Sequence, residues 1–311
     1  MYSLVVPVYQ NEDSIPELLL SLEKIAAGVT EPLEVVFVVD GSPDRSAEVL
    51  RGSLGHSSFV SRLVVLSRTF GSFAAIRAGL TEARGSLFAV MAADLQEPPE
   101  LICAFFRALE TEPVDVTIGT RDGRDDPLPT RLASNLFWRV YRSSAQPEMP
   151  PGGVDVFGCS REVRGHLLSL DESNSTLVGL LFWLGFRRKL IPYRRLKRKH
   201  GRSAWTLAKK LRYLGDSVFA FSDLPIRVLI GAGALGLAFS IVFGLVVLTA
   251  RLAGPVEVPG YATTILVISF FTGLNSFGLG IIGSYVWRAF ENTKRRPQAI
   301  IMSLTDFDGG S

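Results

Sequence analysis

The chain has 311 residues, a formal net charge of +3, three histidines and only two cysteines, Cys103 and Cys159. That length allows one large domain or two smaller ones, and two widely separated cysteines exclude a disulfide framework or a cysteine metal cage. Mean hydropathy is positive, unusual for a soluble enzyme, and the apolar excess lies toward the C-terminus.

The first 120 residues alternate strand and helix patterns. Strands are expected at Ser3–Val8, Glu34–Val39, Leu63–Leu66, Leu87–Met91 and Val114–Ile118, and helices at Ile15–Ala26, Ala47–Leu54, Phe73–Ala83 and Glu100–Glu110. Short apolar strands separated by amphipathic helices predict βαβ units, a mainly parallel α/β sheet and helices on both faces. The strands end in Val6-Pro7-Val8-Tyr9, in Asp40-Gly41-Ser42-Pro43-Asp44, in Ser67-Arg68-Thr69-Phe70-Gly71, and in Ala92-Ala93-Asp94-Leu95-Gln96-Glu97-Pro98-Pro99. Each ending is polar or glycine-bearing and falls on the same sheet edge, where open α/β sheets bind ligands. Asp94 and Gln96 place a carboxylate and an amide oxygen there, a donor pair suited to a hard divalent cation on a substrate diphosphate. Taken singly, Asp94 reads equally well as a cap for the helix near Pro98, and Asp-Gly-Ser as an ordinary turn.

Beyond Gly119 a charged segment, residues 120–126, suits a mobile loop over a site. A helix is expected from Arg161. Between Arg187 and Arg202 lie nine Lys/Arg residues and no acid. Leu207, Leu211, Leu214, Val218 and Phe221 then share one helical face, with Lys209, Lys210 and Arg212 off it, the pattern of a helix lying in a membrane interface. Val228–Ala250 and Tyr261–Trp287 are uncharged, and both exceed the ~20 residues needed to cross a bilayer, so two spans are expected. Basic flanks on both outer ends and a nearly neutral loop between predict both termini in the cytoplasm. The chain opens on a strand pattern, so no cleaved leader is expected.

In this order, the motifs resemble those of the family 2, GT-A-fold polyprenyl-phosphate glycosyltransferases, the group of dolichol-phosphate mannosyltransferase and the bacterial bactoprenol glucosyltransferases. The match runs through Val6–Tyr9, Asp40–Asp44, Ser67–Gly71, Ala92–Glu97, Gly201–Trp205 and Lys294–Pro297. It departs at Val39 and Ala92, where the family pattern has aspartates, and at Thr69, Phe157, Val178 and Ala204.

The resemblance implies a Rossmann-like GT-A domain over residues 1–202, juxtamembrane amphipathic helices over 203–225, a two-span region over 226–290 and a cytoplasmic tail over 291–311. It implies an inverting enzyme of the bacterial inner membrane that moves a sugar from a nucleotide diphosphate to a polyprenyl (undecaprenyl) phosphate for the cell envelope. Donor contacts would come from Pro7, Tyr9, Asn11, Asp40, Ser42, Ser67 and Gly71. Asp94 and Gln96 would hold Mg²⁺ or Mn²⁺, with Asp94 and Asp155 as catalytic groups. Arg195, Arg198, Arg202 and Ser203 would meet the acceptor phosphate. A homo-oligomer fits the family, and no nucleic-acid partner is expected. Two alternatives stay open at the level of sequence: a silent membrane scaffold, and a family 2 transferase with another acceptor.

Overall fold

In the computed structural model the described residues are 1–121, 139, 141–142, 146–150, 153–172, 175–196, 207–253 and 260–309. Strands β1 (Tyr2–Val8), β2 (Leu33–Val39), β3 (Val60–Leu66) and β4 (Leu87–Val90) form where the apolar runs predict them. Side chains alternate across the sheet with period two. Leu4, Val6, Val8, Val35, Phe37 and Val39 face one core, and Val5, Val36, Val38 and Val64 the other. The first core is closed by α1 (Ile15–Gly28), α2 (Ser46–Ser53) and α4 (Pro99–Thr111). The second is closed by α3 (Ser72–Glu82), α5 (Arg161–Ser169) and α6 (Leu177–Trp183). Gly79 lets α3 lie close to the sheet, because a Cβ there would sit 2.4 Å from Val5 Cγ1.

Three further elements complete the domain's sheet: β5 (Val116–Arg121), β6 (Phe157–Ser160) and β7 (Arg188–Tyr193). A last strand, β8 (Ile301–Phe307), comes from the C-terminal segment. The eight-stranded order is β7-β5-β6-β4-β1-β2-β3-β8. β6 and β8 run antiparallel to their neighbours and the other pairings are parallel, so the sheet is mixed. The fifth strand was expected at Val114–Ile118. It runs on to Arg121 because pairing with β7 continues to Arg121↔Tyr193. That extension carries a guanidinium to the edge where the other strands end.

Among the described residues three helices lie between β7 and β8: α7 (Leu207–Phe221), α8 (Leu224–Ala253) and α9 (Tyr261–Thr293). The expected amphipathic segment is α7. Its Tyr213 ring stacks on Tyr141, centroids 5.6 Å apart, and Asp216 pairs with Arg288 of α9 at 2.7 Å. Among the described residues one helix, over Leu224–Thr249, is long and apolar enough to cross a membrane. Its side chains, Leu235 and Phe239 among them, are exposed rather than packed into a protein core.

The segment after α9 returns to the main sheet. β8 pairs with β3 from Ser61↔Phe307 to Leu66↔Ile301, and Ser67 N–H donates to the Ile300 carbonyl at 2.9 Å. The two long helices therefore leave from, and come back to, the same domain.

Candidate active site

The ends of β1 and β2 are bound into one polar knot. Asp44 is its hub: its carboxylate accepts from the Ser42 hydroxyl (2.7 Å), the Ser46 hydroxyl (2.9 Å) and the backbone N–H of Glu12 (3.1 Å) and Ser46 (3.2 Å). Burial works against the charge, but these donors outweigh it and hold the Asp44 pKa below the ordinary carboxylate value. Ser42 Oγ also accepts from Gln10 N–H at 2.8 Å, and Asn11 Oδ1 from Tyr9 N–H at 3.0 Å. Two expected donor contacts, Asn11 and Ser42, thus shape the loop that presents Pro7 and Tyr9. Tyr9 is exposed at that rim.

Asp40 ties β2 to the start of α3. Its two oxygens accept the backbone N–H groups of Phe70 (2.7 Å) and Gly71 (2.8 Å), and the residue is buried. A carboxylate at a helix N-terminus is favoured both by those donors and by the helix dipole. Gly41 beside it has φ +55, and a Cβ would meet the Arg68 backbone at 2.3 Å, so only glycine fits this turn. Ser67 is exposed at the mouth, and Gly71, with φ 103, opens α3.

The loop after β4 carries the cation candidates. Asp94 is half-buried and its Oδ1 accepts Gln96 N–H at 3.3 Å, while Leu95 between them adopts a left-handed backbone, φ 59. Such a conformation at a non-glycine residue costs on the order of 1–2 kcal/mol, so the surrounding packing must impose it. Gln96 Oε1 accepts from Arg195 Nη2 at 2.5 Å, and Gln96 Nε2 donates to the Leu196 carbonyl at 3.2 Å. The Leu196 N–H closes the contact on the Gln96 carbonyl at 2.9 Å.

Asp155 lies in the same cluster, ion-paired with Arg121 and 3.9 Å from Arg195 Nη2. It is therefore a carboxylate already engaged by a guanidinium rather than an isolated base. Tyr193, also buried, has its phenol pKa raised by burial and by the charge of Glu97, with Arg121 and Arg195 opposing.

Of the expected site residues, the structure brings Asp94, Gln96, Asp155 and Arg195 together, and sets Pro7, Tyr9, Asn11, Asp40, Ser42, Ser67 and Gly71 at the neighbouring strand ends. Arg198, Arg202 and Ser203 lie outside the described residues, as does most of the 120–126 loop. Glu97, Arg121, Tyr193 and Asp44 were not singled out by sequence. Glu97 stood in the same motif as Asp94, and Arg121 in the charged run after Gly119, but neither pattern tells which charges turn inward.

A divalent cation would find oxygen donors here, the chemistry Mg²⁺ and Mn²⁺ prefer. Among the described residues no three His, Cys, Asp or Glu side chains gather as a metal cage. The residues present fit a cation shared with a diphosphate better than a closed structural metal.

Comparison with known proteins is consistent along the whole chain. The model of the glycosyl transferase family 2 matches residues 3–165. A Bacillus subtilis protein named as a glycosyltransferase, CsbB, is 31% identical over 97% of this chain and 91% of its own length. The undecaprenyl-phosphate 4-deoxy-4-formamido-L-arabinose transferase of Pseudomonas paraeruginosa is 32% identical over 97% of this chain and 89% of its own. A solved mannosyltransferase from Pyrobaculum calidifontis, in complex with GDP-Man and Mn2+, aligns over 92% of this chain and 87% of that one. Its 18% identity and TM-score of 0.46 are too low to carry an argument. A mixed α/β sheet with its polar strand ends on one edge, and relatives of this kind over nearly the full length, lead to one assignment: the chain belongs to the family 2 glycosyltransferases and is a glycosyltransferase of GT-A fold.

Proposed function

We propose that this chain transfers a sugar from a nucleotide diphosphate donor to a polyprenyl phosphate, undecaprenyl phosphate in a bacterial inner membrane, with inversion at the anomeric carbon. The observation that carries the reading is Arg195 Nη2 at 2.5 Å from Gln96 Oε1. The basic segment leading to the long apolar helices brings Arg195 onto the loop that would hold the donor diphosphate. Relatives named for undecaprenyl-phosphate transfer support the same reading.

The acceptor needs little activation. A phosphate monoester has its second pKa near 6, so it is largely dianionic at neutral pH and is itself the nucleophile. Arg195, with Arg198, Arg202 and Ser203 farther along, would hold that dianion, and Arg121 lies within the same charged cluster. Asp155 keeps Arg121 in place through their ion pair and would orient a sugar hydroxyl. A cation at Asp94 and Gln96 would neutralise charge on the departing diphosphate. Tyr9 and Pro7, on the β1–β2 knot, would line the nucleotide pocket.

Membrane attachment follows from α8 and, in this reading, from α9 as a second span. The return of β8 to the sheet supports a hairpin whose two outer ends both lie on the catalytic side, hence a cytoplasmic domain and termini. The test is direct. Membranes holding the chain are given undecaprenyl phosphate, Mg²⁺ and a panel of labelled nucleotide sugars. An organic-extractable labelled lipid, absent with Asp94→Asn, is expected; label released only as free sugar, or no turnover with any donor, would overturn the reading.

A further inference from the structure

Helix α6 hides every residue but its last. Leu177 through Phe182 are buried, while Trp183 is 62% exposed. Helix spacing says where that ring stands. Trp183 follows Gly179 by four residues, one turn along the same face. Gly179 is also where α7 docks: a Cβ there would lie 2.3 Å from Phe221 Cε2, so Phe221 fills the space a side chain would take. Phe221 closes α7, and the long apolar helix α8 begins at Leu224. The exposed tryptophan is therefore one helical turn from the point where the chain sets off along α8.

Edge strand β7 extends this surface. Ile191 and Tyr193 pack into the first core, so the alternate residues point to the other side of the sheet. Arg188 bears out that parity. Its guanidinium lies 4.9 Å from the ring of Phe182, a second-core residue, and donates to the Phe182 carbonyl at 3.1 Å. Leu190 and Pro192 share the side of Arg188, and Arg194 follows the strand's last residue. All three are exposed, Leu190 at 51%. Pro192 has no N–H to donate, which interrupts the ladder that an added strand would need at this edge. An amphipathic indole, an aliphatic side chain and a guanidinium are groups that settle at a membrane–water boundary, the cation on lipid phosphates.

We infer that this face, Trp183 with Leu190, Pro192 and Arg194, is seated in the headgroup layer of an anionic bilayer leaflet. The inference depends on the reading that α8 is inserted in a membrane. The glycosyltransferase domain then lies on the leaflet instead of hanging from its anchor. The negative potential of such a leaflet decays within a Debye length, so a guanidinium must be at the surface to feel it. Arg194 would meet lipid phosphates there, while Arg195, the next residue, is held on Gln96 at 2.5 Å. Two consecutive guanidiniums thus link the leaflet to the site.

The experiment uses the full chain reconstituted into vesicles of phosphatidylcholine and phosphatidylglycerol, with acyl chains brominated near the headgroup or left unbrominated. Bromine quenches tryptophan emission on contact. The difference between wild type and Trp183→Phe isolates Trp183, and the difference from Trp287→Phe isolates Trp287, exposed on α9. Trp183 is expected to lose most of its emission in brominated vesicles, and to recover much of it with Arg194→Glu or without phosphatidylglycerol. If Trp287 is quenched and Trp183 is not, the inference falls while membrane attachment stands. If neither is quenched, the attachment reading falls with it. Quenching of Trp183 that ignores both phosphatidylglycerol and Arg194→Glu overturns the anionic assignment. An unquenched Trp183 whose emission shifts with protein concentration gives the face to a second copy of the chain instead.

Discussion

Arg195 and Gln96 lie 99 residues apart in the chain, yet three hydrogen bonds register their loops: Arg195 Nη2 to Gln96 Oε1, Gln96 Nε2 to Leu196 O, and Leu196 N to Gln96 O. The backbone pair fixes the approach of the two segments, and the charged pair fixes where the guanidinium points. In the function proposed above, a positive group for the incoming phosphate would thereby be held beside the oxygens that serve the leaving one.

Arg195→Ala is expected to raise the KM for polyprenyl phosphate roughly ten- to a hundredfold and to move the donor KM much less. Hydrogen bonds to charged groups are worth about 1.5–3 kcal/mol, which sets that range. Arg195→Lys keeps the charge but loses the planar fork, so it should recover only part of the loss. Steady-state kinetics with each substrate varied at saturation of the other checks this. A raised donor KM with an unmoved acceptor KM would mean that Arg195 serves only Gln96.

Asp94→Asn keeps the shape of the loop and its bond to Gln96 N–H while removing the charge a cation needs. Turnover at saturating donor and Mn²⁺ should fall on the order of 10²-fold or more, by analogy with the loss of one preorganised charge-stabilising group. Circular dichroism should be unchanged. Wild-type turnover in this variant would remove Asp94 from the chemistry.

Asp44 is predicted to act on stability rather than on the reaction. Asp44→Asn exchanges a carboxylate with four donors for a neutral amide that itself brings two N–H groups. The cost should be about 1–3 kcal/mol, read as a fall in Tm. The folded pKa is depressed, so the wild-type contribution is fully present above the unfolded value near 4. It is lost as pH falls through the lower folded value. The Tm gap between wild type and Asp44→Asn should therefore be constant near neutrality and shrink below pH 4. A gap that widens in acid would contradict the assignment.

The parallel half of the fold was legible because period-two strands and amphipathic helices leave the same signature wherever they occur. α3 and α5 start within a residue of expectation, at Ser72 and Arg161. The site was legible as a set of strand ends, since polar residues closing apolar runs on parallel strands must share an edge. Partnership was not legible. Nothing in Asp40-Gly41-Ser42 says that Asp40 faces the Phe70 and Gly71 amides, or that Ser42 serves Asp44. Glu97 went unmarked because sequence gives a charge but not its burial. β6 and β7 were missed because strands of 4 and 6 residues, one of them rich in Arg and Lys, resemble loops.

β8 was hidden for another reason: its partner is more than 230 residues away, and a short segment after two uncharged runs reads as a tail. Its attachment centres on Arg62, buried at 4% exposure, which donates to Asp306 Oδ1 at 2.6 Å and to Glu82 at 3.1 Å. Arg84 also reaches Asp306, at 3.0 Å. Asp306→Ala leaves a buried guanidinium with one acidic partner in place of two, and breaking one side of such a pair is costlier than the pair is worth. A loss of about 1–3 kcal/mol is expected, seen as a lower Tm of the whole chain in detergent. Removing residues 298–311 should cost more and should also bare the N–H and C=O groups of Ser61–Leu66, an edge that invites association. Light scattering would then rise on warming before the cooperative transition. An unchanged Tm in both variants would mean that the β3–β8 pairing contributes nothing to the stability of the sheet.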